Sequence, residues 1–112
     1  MTTNRLSATR CLVEFAAPLD QIRERLAQFE WDYDGATVVL SREHIIDVLG
    51  RYLRGEVSAP AVEDWANLIE GREDISTADK DRVWIEHAIY ELANPALTRA
   101  LDNERVIELI NS

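Results

Sequence analysis

A chain of 112 residues, 46% of them hydrophobic, fits one domain and is long enough to close a core without disulfide or metal support. Its single cysteine, Cys11, excludes an intramolecular disulfide and favours a reducing compartment, for which the cytoplasm is the default. The formal net charge of -9 is concentrated, with ten acids and three bases in residues 56 to 91, a field that repels nucleic acid and anionic lipid and favours a basic partner.

The opening stretch, MTTNRLSATR, is polar and aperiodic. It has no apolar core of a signal peptide, and nowhere does an apolar run approach bilayer length, so the expectation is a flexible N-terminus over 1 to 10 and a single soluble helical domain over 11 to 112. Cys11 to Phe15 fits a strand or the first turn of a helix, and periodicity does not decide between them. Pro18 suits a helix start, and Leu19, Ile22, Leu26 and Phe29 place an apolar stripe along a helix over 18 to 29. The acid and aromatic run from Glu30 to Gly35 reads as a loop. There Trp31 and Tyr33 either contact a partner or fold back as lids on the core. Thr37 to Leu40 has strand propensity. If Cys11 to Phe15 is also extended, the two pair as a short two-stranded ribbon near the N-terminus.

Ser41 is placed to cap a helix over 42 to 54, in which Ile45, Ile46, Leu49, Tyr52 and Leu53 share one face and after which Gly55 supplies the turn. Ser58 caps the next, over 59 to 70, with Val62, Trp65, Ala66 and Ile69 inward and Gly71 as its stop. Thr77 is the expected cap of the longest helix, 78 to 93. Its stripe of Ile85, Ala88, Ile89 and Leu92 is widened by Val83, Trp84 and Tyr90, a distribution that predicts a central position. Asn94 and Pro95 end it. Asp102 caps a last helix that docks through Val106, Ile107 and Ile110. The fold class is all-α: a compact bundle of about five helices, with the ribbon as its only extended element.

No catalytic template is met. His44 and His87 each have carboxylates nearby, but the glutamate required three residues before a di-iron histidine is Ser41 in one case and Trp84 in the other. One cysteine and two distant histidines do not make a zinc site. The acid-rich run from Asp74 to Asp81 lacks the central glycine and terminal glutamate of a calcium loop. Phosphate loops and serine elbows are absent as well. The expectation is a protein that is not an enzyme and has no cofactor, catalytic residue or metal ligand.

What remains is recognition. Glu63, Asp64, Glu70, Glu73 and Asp74 lie along two turns of one helix and the loop after it, with Arg72 the only base among them. Glu63 and Asp64 complement the helix dipole, whereas Glu70, Glu73 and Asp74 sit at the wrong end for that role. Like charges so close repel, a cost offset either by a cationic partner or by Arg72 bridging to Glu70, Glu73 and Asp74 as an internal salt-bridge network. The expected binding set is these five acids with Trp31 and Tyr33.

With EDWANLIEGREDI at Glu63 to Ile75, REHIIDVLGRYLRGE at Arg42 to Glu56 and ELANP at Glu91 to Pro95, the chain resembles small acidic bacterial immunity proteins. These include the helical colicin D type and those of contact-dependent growth inhibition systems. The likeness covers residues 40 to 95 and is one of size, helix order and acidity. It implies a toxin inhibitor whose acidic side chains cover the active site of a basic nuclease domain. The rival reading is a structural or adaptor module that self-associates as a homo-oligomer through leftover apolar surface.

Overall fold

In a computed structural model, residues 5–29 and 35–112 are described, and they form six helices and one two-stranded sheet. The helices are α1 (Arg5–Glu14), α2 (Leu19–Leu26), α3 (Arg42–Leu53), α4 (Ala59–Ile69), α5 (Arg82–Ala93) and α6 (Asn103–Ile110). The strands are β1 (Val38–Leu40) and β2 (Ile75–Thr77). The chain is therefore mostly helical, but the sheet makes it not strictly all-α.

The stretch expected to be flexible is instead helical from Arg5 onward, and Cys11 lies within the same helix. Polar residues hold it. Thr9 is buried and its hydroxyl donates to Arg5 O at 2.8 Å, while Ala8, Leu12 and Val13 face the core. With Cys11 to Glu14 taken up by α1, the ribbon forms elsewhere. β1 pairs in parallel with β2, Val38 opposite Ile75 and Leu40 opposite Thr77. The pair is closed by Val38 N–H to Asp74 O at 2.9 Å and Ala78 N–H to Leu40 O at 3.0 Å. Thr77 thus ends a strand rather than capping a helix, and a 3-10 turn over Asp79–Asp81 leads into α5.

Three caps follow the local chemistry. Ser41 Oγ accepts from His44 N–H while His44 Nδ1 accepts from Ser41 N–H, a reciprocal box at the start of α3. Ser58 caps α4 and Asp102 caps α6 in the same manner. Gly55 closes α3 with φ +77, where its N–H reaches Tyr52 O and that of Glu56 reaches Arg51 O, so the last carbonyls are satisfied.

α4 and α5 lie at the centre, with Trp65, Val62, Ile85 and Ala88 wholly inside. On α3 the inward face is Ile45, Val48 and Leu49, rotated from the expected stripe so that Leu53 is outside. On α6 Val106 and Leu109 point in and Ile107 is half exposed. α5 is central on one side only: Val83 is 83% exposed and Tyr90 47%. No helix among the described residues is long and apolar enough to cross a membrane.

Candidate functional site

The charged side chains divide into those that hold the fold together and those that do not. Asp74, placed by the turn between α4 and β2, is completely buried. Arg5 Nε donates to its Oδ2 at 3.0 Å, Arg72 donates to both oxygens at 2.8 Å, and the Thr9 hydroxyl adds a bond at 3.2 Å. Burial pushes this carboxyl up, but the bonds from Arg72, Arg5 and Thr9 outweigh it and hold the pKa at about 2. Its expected role in binding is corrected by this placement. Both oxygens face inward, and the two arginines that tie α1 to the α4–β2 turn more than balance its charge.

Glu91 behaves alike. It is buried on α5, with Arg105 of α6 donating to both oxygens at 2.6 Å, and these bonds lower its pKa against the opposing effect of burial. Arg51 reaches from α3 to the end of α1, donating to Phe15 O at 2.7 Å and Glu14 O at 2.9 Å. Arg42 likewise donates to Ile110 O and Ser112 O at the end of α6, with its guanidinium 4.3 Å from the Trp84 ring centroid. Arg5, Arg42, Arg51, Arg72 and Arg105 are therefore structural ties.

The other expected acids stay outside. Glu63, Asn67 and Glu70 follow one another at helical spacing along α4 and its end, with Asp64 beside them. Glu63 is half-buried, and Asp64, Glu70 and Glu73 are exposed. Among the described residues no ion pair reaches Glu63, Asp64 or Glu70. Glu70 Oε2 accepts from Asn94 Nδ2 at 3.3 Å. Trp31 and Tyr33, the other expected contact residues, lie outside the described residues.

Three hollows border this region. The largest, about 530 Å³, lies between the α2 end and the α4–β2 turn, lined by Arg23, Leu26, Phe29, Leu68 and the Arg72–Asp74 pair. A second, about 240 Å³, opens on the other side of the same turn between α4, β2 and α5. A third, about 180 Å³, lies between the start of α4 and Pro95. Glu86 and Tyr90 of α5 stand outside near Glu70, a placement that sequence reasoning missed. The only signal was the spacing of Val83 and Tyr90, seven residues apart on the side away from Ile85, Ala88 and Leu92.

His44 is occupied in the α3 cap, and His87 is exposed with Nε2 3.7 Å from Glu91. Among the described residues no group of three or more His, Cys, Asp or Glu is arranged to hold a metal. No protein-family model matches the chain, and neither curated proteins nor solved structures give a significant match.

Proposed function

We propose that the chain is a non-enzymatic cytoplasmic inhibitor of the immunity-protein kind, which binds a basic nuclease-type toxin domain through the acidic outer edge of α4. The observation that carries this reading is the division of charge. Five arginines are committed to buried carboxylates and helix ends, and among the described residues no ion pair reaches Glu63, Asp64 or Glu70. Glu63, Asp64 and Glu70 are the contributing groups, with Glu73 exposed beside them, and Asp74 is not. A single-sign edge of this kind accelerates encounter with a basic surface and rejects nucleic acid. Blocking is steric and electrostatic, and no chemistry by this chain is required.

The test is a pull-down with the intact protein from lysate of its source at low and then moderate salt, with mass spectrometry of what is retained. A basic nuclease-like domain released by salt supports the reading, and charge reversal at Asp64 and Glu70 then slows its association. Retention of no basic protein at either salt removes the acidic edge from function.

A further inference from the structure

The hollow between the end of α4, β2 and α5 has features that the acidic edge alone does not explain. Its floor is Leu40, Ile69, Ile85 and Ile89, all buried, with Ile75 at its side. Glu70 and Glu86 stand at its rim, both exposed. At about 240 Å³ it lies below the ~300–1,000 Å³ of sites that take whole small molecules, so it suits one long side chain.

We propose that this crevice is the anchor site for a single arginine side chain of the partner protein. The proposal rests on the acidic-edge reading and names what that edge delivers. Charge complementarity selects the occupant. Glu70 follows the last turn of α4, where the negative pole of the helix adds to its own charge. Glu86 faces it from α5. Arg72 also lines the crevice, with its Nε and one terminal nitrogen turned to buried Asp74 at 2.8 Å, and the two acids of the lining, Glu70 and Glu86, exceed this base by one charge. An aliphatic stem lies along the isoleucine floor while the cationic head meets the rim. Arginine fits better than lysine because a guanidinium is weakly hydrated and its five donors bridge two carboxylates, whereas an ammonium must shed tightly held water. Around the crevice the outer face of α5 offers Tyr90, whose carbonyl accepts from the same Asn94 amide that bonds Glu70, together with Val83. An exposed tyrosine beside a fitted arginine is the pairing in which interface energy concentrates.

The experiment uses the full chain labelled with 15N at its backbone amides and with 13C at isoleucine methyl groups, titrated at low salt with a blocked Gly-Arg-Gly peptide and with the same peptide carrying citrulline. The arginine peptide is expected to shift the methyl signals of Ile69, Ile75, Ile85 and Ile89 and leave Ile22 and Ile107 unmoved. The neutral citrulline peptide is expected to shift none. Glu70→Gln with Glu86→Gln, both at exposed positions, should weaken the arginine response about tenfold, since hydrogen bonds to charged partners are lost. Shifts confined to the amides of Glu63 and Asp64 overturn the crevice while leaving the acidic edge intact. Equal response to citrulline, no response to either peptide, or concentration-dependent shifts at Val83 and Tyr90 without peptide also overturn it, the last because a second copy then covers this face. Failure of the broader reading is seen separately, as a pull-down that retains no basic protein.

Discussion

The indole N–H of Trp65 donates to the backbone carbonyl of Leu12 at 2.7 Å, joining the middle of α4 to α1 across 53 residues of sequence. Trp65 is wholly buried, and the Phe15 ring stacks on it with centroids 6.4 Å apart. Leu12 O also accepts from Phe15 N–H, so Trp65→Phe leaves that oxygen one partner while removing a hydrogen bond and part of a ring. The expected cost is about 2–3 kcal/mol, and Trp65→Ala should cost about 3–5 kcal/mol. Urea unfolding followed by circular dichroism measures both. Equal stability of Trp65→Phe and the parent would show that the bond to Leu12 contributes nothing.

Phe15 has φ +48, a left-handed conformation rare for a residue with a side chain. It is held there by the stack on Trp65 and by Arg51, which donates to Phe15 O and Glu14 O and lies 5.9 Å from the Phe15 ring centroid. Arg51→Met should destabilise the fold by about 1–2 kcal/mol, and Arg51→Lys should recover less than half of this, because one ammonium does not span two carbonyls and a ring. Thermal unfolding of the two variants decides. Full recovery by lysine would reduce the role of Arg51 to charge alone.

Asp74 sets an acid limit. Its ordinary pKa of 3.8 falls to about 2 in the fold, so the native state binds fewer protons than the unfolded chain in this range. The stabilisation is complete above pH ~4 and is lost as pH falls toward ~2, amounting to about 2 kcal/mol. Asp74→Asn leaves Arg5 and Arg72 without their buried counter-charge and should cost about 3 kcal/mol or more at neutral pH. The variant and parent should converge on acidification. Unfolding curves at pH 7, 4 and 2.5 test this, and a constant difference across them would contradict it.

How far the sequence revealed this arrangement depended on the range of the interactions involved. Ser41, Ser58 and Asp102 announced three helix starts because each cap is a contact three residues long. Arg5 to Arg10 gave no helical period, yet Thr9 and Asp74 meet across 65 residues and fix that turn. The strand at Val38–Leu40 was legible from its composition, but its partner Ile75–Thr77 was not, since parallel pairing is settled by where α3 and α4 return the chain. For the candidate site Glu70, Glu73 and Asp74 looked equivalent in sequence. Which of them turned inward depended on Arg5, 69 residues from Asp74. The α5 face at Glu86 and Tyr90 was hidden by an apolar distribution that suggested burial on all sides.

If the α4 edge is left unpaired by the fold, its acids should repel one another in the free protein. Neutralising Glu63, Asp64 and Glu70 together with glutamine or asparagine should raise the melting temperature at low salt. The gain should vanish near 1 M salt, where the Debye length falls to ~3 Å. Calorimetry at both salts checks the sign. A melting temperature lowered by the triple substitution would mean that these acids support the fold instead.

The last helix is held at its two ends by different groups, and this separates its stability from that of the core. Arg105 ties its start to buried Glu91, while its end depends on Arg42, which donates to Ile110 O at 3.2 Å and Ser112 O at 3.0 Å over the Trp84 ring. Trp84 in turn donates from its indole to Ser112 Oγ at 2.8 Å. Between the two ties only Val106 and Leu109 are fully inside. Arg42→Ala removes two charge-assisted bonds and a cation–ring contact, together about 1–3 kcal/mol, most of which falls on α6 rather than on the α4–α5 core. Hydrogen exchange should therefore accelerate about tenfold or more over residues 107 to 112, less at Arg105, and remain unchanged in α4. Uniform acceleration across the chain would show that α6 opens only with the whole fold, and that Arg42 acts on global stability.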